Sequence, residues 1–134
     1  MANLKILITG PPGIGKTTII KKIVRFLKEK IIPPPILIRS SKEIIIIDEI
    51  GKMECFSQKF KDFLWDLFSK PNPLLASISL KGNNFIEKIK HLPQVRLMKV
   101  SKENRGALVE TIINEIFRAP KQVFYWKMRK LSLF

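Results

Sequence analysis

The fold is decided by one stretch near the beginning of the chain, Gly10-Pro11-Pro12-Gly13-Ile14-Gly15-Lys16-Thr17-Thr18. It matches the phosphate-binding P-loop pattern, in which two glycines separated by four residues are followed by lysine and then by serine or threonine. Glycines let successive backbone N–H groups face one phosphate, and the helix that follows adds its own free N–H groups. We therefore expect residues 10–18 to bind phosphates, with Lys16 on the β- and γ-phosphates and the Thr17 hydroxyl on Mg²⁺.

The residues around this loop fit the same interpretation. Leu4–Ile8 is a short apolar run typical of a buried strand, and apolar residues recur at helical spacing from Thr17 to about Lys30. Strand, glycine-rich turn and helix is the order in which a P-loop occurs. The sequence therefore predicts an α/β domain with a nucleotide at the carboxyl edge of its sheet.

A second motif, Ile44-Ile45-Ile46-Ile47-Asp48-Glu49, has the Walker B pattern. Four consecutive β-branched residues predict a strand that is covered on both faces, in the interior of a parallel sheet. We expect Asp48 to hold Mg²⁺, directly or through a water, and Glu49 to orient and deprotonate the attacking water. The alternative is that the Asp-Glu pair only caps the segment that follows the strand.

Composition narrows the class of protein. A chain of 134 residues with 46% hydrophobic and 27% charged residues is ordinary for one globular domain. No apolar run approaches the roughly twenty residues that span a bilayer, no signal peptide is visible, and the single Cys55 excludes an intramolecular disulfide. We therefore expect a cytoplasmic protein without a membrane span.

The net charge of +14 indicates either an anionic partner or, in a chain rich in lysine and isoleucine, a compositional bias or an adaptation to heat. A nucleoside triphosphate is one such partner. Nucleic acid is a second, weakly supported one, because the lysines are scattered rather than clustered. Nothing in the sequence indicates an oligomeric state.

The rest of the chain continues the alternation of strands and helices. We predict strands at Leu74–Ser79 and Val95–Val100, the second near a sheet edge, and a helix after the N-cap Ser57. A short helix is expected at Phe85–His91, with Asn84 and Glu87 as a capping pair, and Ser101 is expected to cap a last helix. A further short strand is expected at 36–39.

Arg105 lies in the first turn of that last helix, beyond a strand end on the same edge as the P-loop. From there its guanidinium either reaches the γ-phosphate and stabilises the transition state, or forms a surface salt bridge. Beyond residue 118 the sequence changes to a basic, aromatic tail without acidic residues. We predict an NTPase domain at 1–118 and leave three alternatives for 119–134: an interfacial or nucleic-acid-binding tail, a helix packed on the body, or an unstructured end.

Together the motifs at 10–18, 47–54 and 101–105 resemble the small P-loop nucleoside-triphosphatases of thermophilic archaea and bacteria and the cancer-related nucleoside-triphosphatases of animals. The stretch Ile47-Asp48-Glu49-Ile50-Gly51-Lys52-Met53-Glu54 is the most specific of the three. The resemblance implies a three-layer fold with a RecA-like, mostly parallel sheet and a strand inserted between the two Walker strands. It also implies Mg²⁺-dependent hydrolysis of several NTPs, with Lys16 and Glu49 catalytic, Thr17 and Asp48 on the metal, and Arg105 in contact with phosphate.

The chain departs from the family at one place. Only 31–43 connects the P-loop helix to the Walker B strand, where members of the family usually carry a longer segment with additional strands. We therefore expect a reduced sheet. A nucleotide kinase and a non-hydrolysing nucleotide- or nucleic-acid-binding module remain the alternatives to an NTP hydrolase.

Overall fold

The computed structural model describes residues 4–30, 43–51, 57–117 and 127–131. Strands and helices alternate along this part of the chain. Their bounds are β1 (Lys5–Gly10), α1 (Lys16–Lys30), β2 (Glu43–Ile50), α2 (Gln58–Ser69), β3 (Leu74–Ser79), α3 (Asn84–Lys90), β4 (Val95–Lys99), α4 (Arg105–Phe117) and β5 (Lys127–Leu131). The strand expected at 36–39 lies outside the described residues.

The five strands form one sheet in the order β4-β1-β3-β2-β5, and every pairing is parallel. β3 lies between β1, which leads into the P-loop, and β2, which carries the Walker B carboxylates. The expected inserted strand is therefore confirmed. β2 has a neighbour on each side, as its four isoleucines predicted, and β4 is an edge strand, as its sequence predicted.

The C-terminal tail contributes β5, which extends the sheet beside β2 from the pair Glu43–Lys127 to the pair Ile47–Leu131. None of the three alternatives that we left open for the tail included a strand. The sequence of β5, Lys-Met-Arg-Lys-Leu, is short and basic. Basic residues are typical of an edge strand, where they oppose pairing with another chain, but five residues of this composition do not by themselves predict a strand. The domain boundary at residue 118 stays a prediction.

Helices cover both faces of the sheet, because successive side chains of a strand point to opposite sides. On one face α1 and α4 pack on a core that includes Ile6 and Ile8 of β1. On the other face α2 and α3 pack on a core that includes Leu7, Ile45 and Ile47. This arrangement confirms the three-layer α/β fold.

Three capped helix N-termini lie at the edge of the sheet where the strands end. Ser57 accepts a hydrogen bond from the Phe60 backbone at the start of α2, as predicted. The predicted capping pair of α3 is wrong by one residue, because Asn83 has the extended backbone of a cap and its side chain accepts from Ile86 N–H at 3.0 Å. Before α4, Ser101 and Asn104 exchange side-chain and backbone hydrogen bonds.

Candidate active site

The P-loop runs from the end of β1 to the first residue of α1. Gly13 and Gly15 have φ values of +80° and +113°, in the left-handed region that other residues rarely adopt. Gly10 is needed for space, because a Cβ there would lie 3.0 Å from the carbonyl oxygen of Val100. The loop therefore turns tightly into a helix whose first N–H groups are free to bind an anion.

Lys16, the first residue of α1, points back across this loop. Its side chain is buried, and its ammonium group donates to the carbonyl of Gly10 at 2.9 Å. The same nitrogen lies 3.7 Å from Oε2 of Glu49. The structure thus brings together the P-loop cation and the carboxylate that the sequence assigned to the attacking water.

Asp48 lies beside the Thr17 hydroxyl, as a shared metal site requires. Thr17 Oγ1 donates to Asp48 Oδ1 at 3.3 Å, and Ser77 Oγ of β3 donates to the same oxygen at 3.2 Å. A carboxylate and a hydroxyl are the oxygen donors that Mg²⁺ takes together with substrate phosphates and water. The residues present therefore fit the predicted metal site. In the described part of the chain, no cluster of three or more His, Cys, Asp or Glu side chains occurs.

Glu49 lies between two cavities at this edge of the sheet. One, of about 370 Å³, is lined by Glu49 and the P-loop residues Pro12, Gly13, Gly15, Lys16, Thr17 and Thr18. The other, of about 280 Å³, is lined by Gly10, Pro12, Lys16, Glu49, Ser79, Leu80 and Lys81. The Glu49 side chain keeps 37% of its surface exposed, so water reaches the carboxylate.

Arg105 lies on the other flank of the P-loop. Its guanidinium donates to the carbonyl of Ile14 at 3.2 Å and forms no ion pair with any described residue, so the alternative of a surface salt bridge is not seen among them. It lines a cavity of about 530 Å³ with Gly15, Thr18, Ile19, Lys22, Lys102, Glu103, Gly106 and Val109. In the described residues it lines neither cavity that contains Glu49. The cavity that Arg105 lines shares Gly15 and Thr18 with the P-loop cavity that contains Glu49.

Sequence reasoning missed two polar residues of this edge. Ser77 is buried in the middle of β3 and holds Asp48, whereas the sequence identified it only as part of a strand. Lys81 follows β3 and shares a cavity with Lys16 and Glu49. The signal that was available is the position of β3, because polar residues in a strand inserted between the two Walker strands are candidates for contact with the Walker B carboxylate.

Comparison with known proteins agrees with this geometry. The family model described as NTPase matches residues 5–35 and 32–113. The chain belongs to this NTPase family. Nucleoside-triphosphatase THEP1 of a Thermotoga species is 32% identical over 164 residues, which cover 83% of this chain and 94% of the relative. THEP1 of Aquifex aeolicus is 29% identical over 178 residues, covering 86% of this chain and all of the relative.

Two solved structures share the fold. The crystal structure of THEP1 from Aquifex aeolicus aligns with a TM-score of 0.69 and 27% identity, over 84% of this chain and 98% of that chain. The solution structure of a human cancer-related nucleoside triphosphatase aligns with a TM-score of 0.68 over 88% of this chain, and at 24% identity this likeness concerns the fold alone. Small P-loop nucleoside-triphosphatases are thus the enzyme class of this chain.

The alignments also agree with the short connection after α1. The two segments matched by the family model meet at residues 32–35, within that connection. The alignment of 164 residues to the Thermotoga relative is 30 longer than this chain of 134 residues, so the relative carries residues without counterparts here. Among the described residues, no helix is both long and apolar enough to cross a membrane.

Proposed function

We propose that this NTPase hydrolyses nucleoside 5′-triphosphates, ATP and GTP among them, to the diphosphate and phosphate, and that it depends on Mg²⁺. The observation that carries the proposal is the position of Glu49. Its carboxylate lines the P-loop cavity within 3.7 Å of the Lys16 ammonium, while the neighbouring Asp48 is engaged by Thr17. One carboxylate is thus available for proton transfer and the other for the metal. A cytoplasmic location also remains a prediction.

The P-loop would bind the phosphate chain. Its backbone N–H groups and the N-terminus of α1 supply donors from one side, and Lys16 supplies a positive charge that is already partly withdrawn from water. Charge that develops on the γ-phosphoryl oxygens during cleavage would be stabilised by this preorganised environment. Lys81, which lies on the Glu49 side, is placed to add a second positive charge.

Thr17 and Asp48 would hold Mg²⁺, with Ser77 fixing the Asp48 carboxylate from the side of β3. When bound, Mg²⁺ neutralises charge on the phosphates and orients them for in-line attack. Ser77 is buried and would act through the Asp48 carboxylate, so we assign it the role of a positioning residue.

Glu49 would act as the general base. Its carboxylate accepts a proton from a water molecule, the water oxygen forms a bond to the γ-phosphorus, and the bond from that phosphorus to the β–γ bridging oxygen breaks. The electron pair of the broken bond stays on the diphosphate, and the second product is inorganic phosphate. Lys16 would stabilise the charge on the transferred group throughout.

The cavity beside Arg105 shares Gly15 and Thr18 with the P-loop cavity and extends along α1 and the start of α4. We propose that the nucleoside lies there, with Arg105 contacting the part of the phosphate chain next to it. The short connection after α1 would then leave a binding site made mainly by α1 and the first turn of α4. Such a site predicts weak discrimination between bases.

A phosphate-release assay with the four common NTPs, with and without Mg²⁺, tests this proposal. Release from several NTPs that stops when Mg²⁺ is chelated is the expected result. Transfer of labelled γ-phosphate to a nucleoside monophosphate rather than to water would identify a kinase instead. Tight binding of MgATP without phosphate release over hours would identify a binding module.

A further inference from the structure

A further cleft, separate from the three cavities around the P-loop, lies between α2 and α3, on the sheet face opposite to α1 and α4. It has a volume of about 420 Å³, within the range of small-molecule sites. Its lining residues are Gln58, Lys61, Asp62, Trp65, Asn84, Phe85 and Lys88. None of them lines the cavities around the P-loop, so the proposed NTP hydrolysis does not account for this aromatic cleft.

Of the two aromatic side chains of the cleft, Phe85 packs against the edge of the core, whereas Trp65 is largely outside it. On α2, Leu64 and Phe68 are fully buried, whereas Trp65 keeps 46% of its surface exposed. The ring centroids of Trp65 and Phe85 lie 5.9 Å apart at an interplanar angle of 43°, which leaves indole surface open to a ligand. A flat, exposed ring held by a neighbouring ring is the kind of platform on which nucleobases stack.

The charge of the cleft favours an anion. Lys61 places its ammonium 5.7 Å from the ring centroid of Phe85, and Lys88 lies on the α3 side. Neither lysine forms an ion pair with a described residue, while the carboxylate of Asp62 already accepts a hydrogen bond from Gln58. The cleft thus has two lysine ammonium groups and one carboxylate, which is already hydrogen-bonded. Together with the net charge of +14 of the chain, this excess of positive charge favours a polyanion.

We propose that the aromatic cleft binds single-stranded nucleic acid, with one base against Trp65 and the adjoining phosphates at Lys61 and Lys88. Stacking accepts any base, because every base has a π-face, and the lysines contact only the backbone. A free nucleotide shares this chemistry, but the large positive charge of the chain favours a strand with many phosphates over a single nucleotide. This binding is independent of NTP hydrolysis.

The test uses a fluorescein-labelled twelve-residue oligothymidylate with a 5′-hydroxyl, which offers the P-loop no terminal phosphate. Fluorescence anisotropy of the full chain at about 50 mM and 200 mM salt measures affinity and its salt dependence. We expect Trp65→Leu to raise Kd at least about fivefold, as loss of one stacked base does. Phe63→Leu is the matched control, because Phe63 is 39% exposed on the same helix but does not line the cleft, and it should leave Kd unchanged.

A charge variant addresses the lysines separately. In Lys61→Gln/Lys88→Gln the slope of log K against log salt should fall by about 1.4, since each phosphate contact on a single strand contributes about 0.7. Lys21→Gln/Lys28→Gln removes the same charge from exposed positions of α1 on the other face of the sheet, and it should leave the slope nearly unchanged.

An independent optical signal reports on the cleft itself. The chain has two tryptophans, so Trp126→Phe leaves Trp65 as the only reporter, and unlabelled oligothymidylate should quench its emission. Unchanged affinity in Trp65→Leu, or no quenching, would overturn the proposal. Equal competition by MgATP would also overturn it and would assign the cleft to a free nucleotide. Phosphate release by the same variants shows separately whether the proposed hydrolysis holds.

Discussion

Ser77→Ala removes the hydroxyl that holds the Walker B carboxylate from the side of β3. Ser77 is 1% exposed and donates to Asp48 Oδ1 at 3.2 Å, so Thr17, at 3.3 Å, becomes the remaining described donor to that oxygen. A hydrogen bond to a charged group contributes about 1.5–3 kcal/mol, or roughly one to two powers of ten in an equilibrium constant. Loss of a residue that orients a metal ligand has a similar effect on metal affinity.

We therefore expect the Mg²⁺ concentration for half-maximal phosphate release, at saturating NTP, to rise about 10- to 100-fold in Ser77→Ala. The rate at saturating Mg²⁺ should change much less, because Lys16 and Glu49 are untouched. Ser69→Ala is the control, since among the described residues its hydroxyl donates to the Asp66 carbonyl at the end of α2, away from the P-loop. A lower rate in Ser77→Ala with an unshifted Mg²⁺ requirement would refute the positioning role.

Further predictions concern stability and the two flanks of the P-loop. Gly10→Ala should lower the free energy of unfolding by about 1–3 kcal/mol, because its Cβ would meet the Val100 carbonyl oxygen at 3.0 Å. Gly106→Ala should raise the free energy of unfolding by about 0.5–1 kcal/mol, because a Cβ at this position of α4 has open space around it. Urea unfolding measures both changes. Burial lowers the pKa of Lys5 from 10.5 to about 8, so between these pH values the unfolded chain binds more protons than the folded chain. The free energy of unfolding of the wild type, relative to that of Lys5→Met, should therefore rise from pH 8 to 10.5. A difference that does not change with pH would contradict this. In steady-state kinetics Lys81→Ala should lower kcat about tenfold. Arg105→Ala should mainly raise KM, and a fall in kcat with an unchanged KM would instead assign Arg105 to stabilisation of the transition state.

Much of the fold follows from local sequence signals. The P-loop pattern and the run of four isoleucines each require one local structure, and together they place two strands and one helix. The alternation of the other segments then leaves a parallel sheet with helices on both faces as the natural arrangement. Helix caps were predicted less well, because Asn83 and Asn84 are equally good caps by type and only the backbone conformation selects Asn83.

What the sequence did not reveal depends on contacts between distant segments. β5 pairs with the edge of β2 that β3 leaves open, and the sequence of residues 127–131 alone does not distinguish such a strand from a basic tail. Ser77 and Lys81 enter the site only because β3 lies between the Walker strands. Arg105 was correctly expected near the P-loop, but which flank it occupies is decided by the packing of α4 against α1.

Glu49, as the proposed general base, is the residue that would make this phosphate-binding fold a hydrolase. The most direct measurement is a comparison of Glu49→Gln with the wild type for both MgATP binding and phosphate release. The amide keeps the size of the side chain but cannot accept the proton, so we expect binding within a few-fold of wild type and turnover lower by about 10²-fold or more. Undiminished turnover in Glu49→Gln would contradict the assignment of Glu49 as the general base.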